Sequence, residues 1–161
     1  MKNQKGQSLI EVLIALAAAV AIVAAIAVTV VTSLRNVEFT KNQNLATQYS
    51  REGIEVVRQS AKNDWTAFRS FDGAYCLSQN STSLTVKSAN GCGQNVGDSD
   101  PAKRIFVREI NINPSSGECS ANTKVKSEVS WSDSKCLTGN PFCHKVSLET
   151  CLADINTVKT P

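Results

Sequence analysis

Six cysteines and one histidine are the residues of this chain whose side chains are best suited to crosslinking or metal binding. An even number of cysteines in a chain that leaves the cytoplasm predicts up to three disulfides. A zinc site is the alternative, but no C-x-x-C pair occurs, and His144 directly follows Cys143, which suits neither a zinc finger nor a helical ligand pair. We therefore expect disulfides and neither a metal nor a cofactor, with the pairing left open among Cys76, Cys92, Cys119, Cys136, Cys143 and Cys151.

Other chemistry has weaker support in the sequence. A Ser-His-Asp or Cys-His catalytic site would have to use His144, which begins a predicted strand among the cysteines, so we expect no catalytic residue. Asp98 and Asp100 offer carboxylate oxygens to calcium. Their spacing lacks the glycine and terminal glutamate of an EF-hand loop, which favours an exposed turn.

A small basic patch for DNA is a further option. Lys124 and Lys126 share one face of a predicted strand, and Arg108 or Lys145 would extend that patch. No aromatic residue alternates with the lysines, and the formal net charge is only +3, so a solvated sheet surface is favoured. DNA or another surface ligand therefore has no specific support.

One carboxylate, Glu11, stands at the front of the longest apolar stretch in the chain. Residues 12–34, here called the apolar segment, contain no charged residue, proline or glycine. As a helix this segment covers roughly 35 Å, enough to cross a hydrocarbon core of about 30 Å. A carboxylate inside such a helix costs about 2.5–3.5 kcal/mol on insertion scales, so Glu11 needs a reason to be there.

Three interpretations of this region compete. A cleaved secretory signal would have a shorter apolar region, and a plain signal anchor leaves Glu11 unexplained. The third is cleavage before the apolar segment. In each case the basic residues Lys2 and Lys5 favour a cytoplasmic N-terminus and an outward C-terminal domain.

The residues around Glu11 resemble the prepilin signature of type IV pilins and type II secretion pseudopilins. A short basic leader ends in Lys5-Gly6 and is followed by QSLIEVLIAL, with Glu11 in the fifth position counted from Gln7. The resemblance implies that a prepilin peptidase cleaves between Gly6 and Gln7 and methylates the new amine of Gln7. Family members usually begin with Phe after cleavage, and Gln7 is a variant compatible with minor subunits.

Cleavage would give Glu11 a cationic partner, because the new amine of Gln7 lies in the same layer. The pair closes within one chain or between neighbouring chains of a filament. The alternative is a glutamate tolerated near a helix N-terminus, where the helix dipole favours negative charge. Ala17, Ala21 and Ala25 recur every four residues and would let helices pack closely.

The rest of the sequence predicts a small α+β domain. We expect residues 1–6 to be the leader, 7–34 the transmembrane or filament-core helix, and 35–62 its amphipathic continuation, with Leu45, Tyr49, Gly53, Val56 or Val57, Ala61 and Trp65 at helical spacing. Residues 63–103 are a connecting region with a short strand near 83–87, which Cys76 and Cys92 flank. Residues 104–161 form an antiparallel meander with strands near 104–112, 123–131 and 144–150, packed on the helix and stapled by disulfides.

The predicted function is that of a non-enzymatic minor pilin or pseudopilin. The resemblance implies other pilin or pseudopilin subunits, the prepilin peptidase and an inner-membrane assembly platform as partners, with membrane lipid around the helix before assembly. The chain would lie in the inner membrane and then in an extracellular or periplasmic filament. The alternatives are a major pilin, and a membrane-anchored adhesin or DNA-binding module that uses the helix only as a tether.

Overall fold

The computed structural model describes residues 5–114, 117–119, 122–133 and 135–154. The helices are α1 (Lys5–Asn63) and α2 (Trp65–Phe68), with short 3-10 turns at Pro101–Lys103 and Gly117–Cys119. The strands are β1 (Gly73–Cys76), β2 (Thr85–Val86), β3 (Phe106–Asn113), β4 (Thr123–Trp131) and β5 (His144–Leu152). A long N-terminal helix with an antiparallel sheet confirms the predicted α+β fold.

Helix α1 is continuous because little in its sequence interrupts it. No proline occurs before Pro101, and Gly53 is the only glycine of α1 beyond its first turn. The chain divides into two compact units, Met1–Lys41 and Asn42–Pro161. The first unit holds the apolar segment, and the second, here called the sheet domain, holds the rest of α1 together with α2 and the sheet.

The five strands form one sheet in the order β2-β1-β3-β4-β5, and all neighbouring strands are antiparallel. Strands β3, β4 and β5 form the expected meander, and β4 has the predicted bounds, Thr123–Trp131. Burial alternates along β4, as expected when one sheet face covers the core. Strands β1 and β2 lie within residues 63–103. The sequence indicated β2 but not β1, because Gly-Ala-Tyr-Cys is too short to show a period.

The C-terminal part of α1 packs one face on this sheet. Its buried face consists of Ala46, Ser50, Gly53, Ile54, Val57 and Ala61. Compared with the predicted face, Leu45 and Tyr49 are only partly buried, and Trp65 belongs to α2. One core cluster joins this face to α2 and the sheet through Ile54, Val57, Ala61, Phe68, Leu77, Ile110, Ile112 and Val125. A second cluster joins Ala46, Val96, Phe106, Val129 and Trp131.

Gly53 marks the closest approach of α1 to the sheet. A Cβ atom at Gly53 would lie 2.7 Å from Ser127 Oγ and 3.0 Å from Ile110 Cδ1. One turn earlier, the buried Ser50 hydroxyl donates to the carbonyl oxygen of Ser127 at 2.8 Å. This contact explains a glycine in mid-helix, which costs about 1 kcal/mol relative to alanine.

Candidate functional site

The apolar segment presents its aliphatic side chains to solvent. Ile14 exposes 66 % of its surface and Val28 exposes 68 %. A continuous aliphatic surface of this kind requires lipid or neighbouring helices around it. Within the part of the chain that the structure describes, α1 is the one helix long and apolar enough to cross a membrane. The segment therefore fits membrane anchoring.

Two threonine hydroxyls inside the apolar segment are bonded to the helix itself. The Thr29 hydroxyl donates to the carbonyl oxygen of Ala25 at 2.7 Å, and the Thr32 hydroxyl donates to that of Val28 at 2.8 Å. Such bonds give both threonine hydroxyls an acceptor when water is removed. The helix surface from residue 12 to residue 34 is thus compatible with a hydrocarbon environment.

Glu11 is the exception at the start of this surface. Its side chain is exposed, and within the described residues it forms no ion pair. It lies four residues, about one helical turn, after Gln7. Leader residues 1–4 and the side chain of Gln7 lie outside the described part of the chain, so the pairing of Gln7 with Glu11 stays a prediction.

Ala17, Ala21 and Ala25 are exposed along α1. Residues four apart lie on one helix face, so these alanines form a strip where another helix can approach closely. Their role in helix packing is a proposal, because the structure contains one chain only.

The N-terminal sequence matches a known family model. Residues 1–31 match the model described as the prokaryotic N-terminal methylation motif. This chain carries the methylation motif of type IV pilin and pseudopilin precursors. The match covers Gly6, Gln7, Glu11 and most of the apolar segment, and it ends before the sheet domain. No curated protein and no solved structure matches the chain.

The motif agrees with the function predicted from the sequence in its general form. It implies a structural, non-enzymatic pilin-like precursor, and it supports assembly with other pilin subunits and recognition by a prepilin peptidase. The motif and the exposed helix together fit membrane anchoring followed by filament assembly.

C-terminal to the methylation motif, one buried cation connects several parts of the sheet domain through hydrogen bonds. Arg108 on β3 is only 1 % exposed. Its guanidinium donates to three backbone carbonyl oxygens, those of Leu77 at 3.0 Å, Tyr49 at 3.1 Å and Ser78 at 3.0 Å. Arg108 also pairs with Glu52 of α1 at 3.2 Å. One side chain therefore connects α1, β3 and the chain after β1.

The backbone of Arg108 is held by a second buried polar residue, Asn95. The Asn95 side chain accepts from the Arg108 backbone N–H at 2.7 Å and donates to its carbonyl oxygen at 2.9 Å. Burial lowers the pKa of Arg108 from its usual value, while the charge of Glu52 opposes that shift. The predicted position of Arg108 in a surface patch is wrong, because its strand position points into the core.

The remaining residues of that patch are paired with carboxylates. Lys124 lies beside Glu118 and is 3.0 Å from Glu149. Lys126 is 2.9 Å from Glu128, and Lys145 contacts the same carboxylate at 3.7 Å. The hydrogen bond from Lys124 lowers the pKa of Glu118. This face is therefore mixed in charge, which favours a solvated surface over a phosphate-binding one.

Asp98 and Asp100 organise a turn. Asp98 Oδ1 accepts from the Asp100 backbone N–H at 2.9 Å, and Asp100 Oδ1 accepts from that of Ala102 at 3.0 Å. Asp100 also lies 3.6 Å from the Lys103 ammonium. These bonds are typical of aspartates that stabilise a turn.

The structure pairs all six cysteines. Cys76 is bonded to Cys92, Cys119 to Cys151, and Cys136 to Cys143. The first bridge ties the end of β1 to the loop after β2, and the second ties the end of β5 to the turn before β4. The third closes the loop between β4 and β5. Three bridges help a small core to hold this sheet together.

His144 begins β5 directly after this bridge, and its ring is partly covered by neighbouring side chains. Its ring stacks on Trp131 with ring centroids 5.4 Å apart, and its Nε2 atom is 2.9 Å from Asp133 Oδ2. A hydrogen bond from the Lys135 backbone N–H lowers the pKa of the Asp133 carboxyl, and His144 adds to that shift. No sequence pattern points to Asp133, because only the loop brings it to His144.

Proposed function

We propose that this chain is a structural subunit of a type IV pilus or a type II secretion-like filament, in the role of a minor pilin or pseudopilin. The observation that carries the proposal is the methylation motif at residues 1–31, joined to a continuous helix with an exposed apolar surface. A filament core made of such helices would bury the aliphatic surface that a single chain leaves exposed.

In this proposal the leader is removed after Gly6, and the new amine of Gln7 is methylated. The amine then neutralises a carboxylate at Glu11, either one turn further along the same helix or on the neighbouring subunit. A contact between subunits explains Glu11 better, because it sets the axial position of one helix against the next. The strip of Ala17, Ala21 and Ala25 would let those helices approach closely.

The membrane arrangement follows from charge and disulfide chemistry. Lys2 and Lys5 favour retention of the N-terminus on the cytoplasmic side. The sheet domain, with its three disulfides, then lies on the oxidising side of the inner membrane. An inner-membrane assembly platform would extract the helix from lipid into the filament.

Replacing Gly6 by valine tests the processing step. A side chain at Gly6 blocks close approach of the backbone to the peptidase, so we expect the precursor to keep residues 1–6 and to remain in the membrane. The chain in the sheared filament fraction should fall at least about tenfold, because a change of one methylene in an enzyme pocket already alters the rate roughly 10- to 200-fold. Intact mass and immunoblots of membrane and filament fractions give the two readouts.

Ser8→Ala is the matched control, because it changes a neighbouring small residue and leaves both Gly6 and Glu11 in place. This variant should be cleaved and assembled like the unaltered chain. Normal cleavage and assembly of Gly6→Val would overturn the proposed processing.

A further inference from the structure

The loop between β4 and β5 gathers four side chains of the types that bind zinc. Trp131 at the end of β4 pairs in register with His144 at the start of β5, so the intervening residues form a closed loop. Cys136 and Cys143 bridge this loop with a Cα–Cα distance of 5.4 Å. Asp133 precedes Cys136 by three residues in the sequence, and its carboxylate contacts His144.

The ligand atoms are already close to the arrangement that zinc requires. One atom from each of Asp133, Cys136, Cys143 and His144 can be chosen so that all four lie within 4.8 Å of one another. His144 Nε2 is 2.9 Å from Asp133 Oδ2, and Cys136 Sγ is 3.7 Å from Asp133 Oδ1. In a tetrahedral zinc site with two thiolates, neighbouring ligand atoms lie roughly 3.2–3.8 Å apart. To complete the site after reduction, the two sulfur atoms must separate by about 1.7 Å, and the most distant ligand atoms must approach by about 1 Å.

The backbone around Cys136 also suits a thiolate. Two backbone N–H groups donate to Cys136 Sγ, that of Cys143 at 3.3 Å and that of Asp133 at 3.5 Å. A disulfide sulfur is a weak acceptor, whereas a thiolate bound to a metal is a strong one. Hydrogen bonds of this kind orient metal ligands and increase affinity for the metal.

We propose that the chain binds one Zn²⁺ ion through Asp133, Cys136, Cys143 and His144 when the Cys136–Cys143 disulfide is reduced. A dithiol reductant transfers two electrons and two protons to the disulfide, giving two thiols, and is itself oxidised to a cyclic disulfide. Zinc then replaces the two thiol protons, which pass to water. The loop therefore has two closed states, one held by the disulfide and one by the metal.

The spacing D-x-x-C-x₆-C-H hid this site in the sequence, because it contains no C-x-x-C pair. The four side chains come together only because the hairpin of β4 and β5 places His144 opposite Trp131, and the spacing in the sequence does not show this. The metal-held state would keep the loop in place in chains that have not yet been oxidised.

Zinc binding by the full chain in detergent micelles tests the proposal. The chain is exposed to dithiothreitol until alkylation and peptide mass spectrometry show Cys136 and Cys143 free while the other two bridges persist. Zinc chloride is then added, and metal content is measured after gel filtration. We expect about one zinc per chain and at least about tenfold slower alkylation of both cysteines. The oxidised chain should bind no zinc at this loop.

Variants show whether all four ligands take part. Cys136→Ser/Cys143→Ser should abolish the bound zinc, and His144→Ala and Asp133→Ala should each weaken binding at least about tenfold. Asp98→Ala is the matched control, because it removes an aspartate from another turn and should leave the affinity unchanged. Formation of the Cys136–Cys143 disulfide under oxidising conditions verifies that the single variants fold.

Three results would overturn the proposal. The first is equal zinc content in the double serine variant and the unaltered chain. The second is unchanged affinity in both Asp133→Ala and His144→Ala, because the thiols alone would then explain binding. The third is loss of the β-sheet signal in circular dichroism on reduction of this one bridge, since the site requires β4 and β5.

Discussion

Glu11→Val is expected to remove the chain from filaments while leaving it inserted in the membrane. Valine at this position relieves the cost of placing a carboxylate near the apolar core, about 2.5–3.5 kcal/mol, so membrane insertion should be as good or better. Assembly should suffer, because the amine of Gln7 loses its anionic partner. A charge-assisted contact is worth about 1.5–3 kcal/mol, which corresponds to a loss of roughly 10- to 100-fold at equilibrium.

The measurement compares the chain in sheared filaments with the chain in the membrane fraction. Glu38→Val is the matched control, because Glu38 is also an exposed glutamate of α1 but lies beyond the apolar segment and the methylation motif. This control should assemble normally. Glu11→Gln separates charge from polarity and should assemble poorly if charge pairing is what matters. Unimpaired assembly of Glu11→Val would instead favour a helix that serves only as a tether.

Arg108→Met is expected to destabilise the sheet domain by about 2–4 kcal/mol, from one buried acceptor left without a donor and the loss of the other hydrogen bonds. Methionine occupies part of the same space, but it cannot donate to the carbonyl oxygens of Leu77, Tyr49 and Ser78. The carbonyl oxygen of the buried Leu77 would lose its donor, which costs about 1–3 kcal/mol. The Ser78 oxygen keeps the Ser81 N–H as a donor, and the Tyr49 oxygen keeps its helical partner in α1, so these two lose only one of their bonds. Because these acceptors are backbone atoms, no second side-chain substitution removes them, unlike the partner in an ordinary buried ion pair. The expected result is a large fall in the denaturant midpoint of the full chain in detergent.

Arg58→Met is the matched control for this prediction. Arg58 lies on α1 and pairs with Glu55 in an exposed i,i+3 arrangement. Its loss should change the free energy of unfolding by no more than about 0.5 kcal/mol. Glu52→Gln should also cost little, because Glu52 is 44 % exposed. A stability of Arg108→Met within about 1 kcal/mol of the unaltered chain would contradict the role given to this network.

The sequence predicted those parts of the fold that local patterns determine. The absence of proline and the three-to-four-residue spacing of apolar residues predicted α1, and the alternation of Val125, Val129 and Trp131 with polar residues predicted β4 at its observed bounds. Strand β1 was missed because its four residues are too few to show an alternation of apolar and polar residues. Its extended conformation is supported by pairing with β2 on one side and β3 on the other. In that case tertiary pairing alone determines the conformation.

Some of the candidate site residues could likewise be predicted from the sequence, and others depend on the tertiary fold. Gly6, Gln7 and Glu11 could be identified from sequence, because peptidase recognition acts on a linear segment. The role of Arg108 could not, because its acceptors are backbone atoms from distant parts of the chain, and an arginine in a strand of alternating residues looks like a surface cation. The disulfide pairing and the approach of Asp133 to His144 depend likewise on the hairpin between β4 and β5.

The intact mass of the protein extracted from membranes, measured with and without reduction, tests the central claim most directly. The account predicts a chain that lacks residues 1–6, carries one added methyl group, and gains the mass of six hydrogens on reduction. Extracted protein that retains residues 1–6 without a methyl group would contradict it.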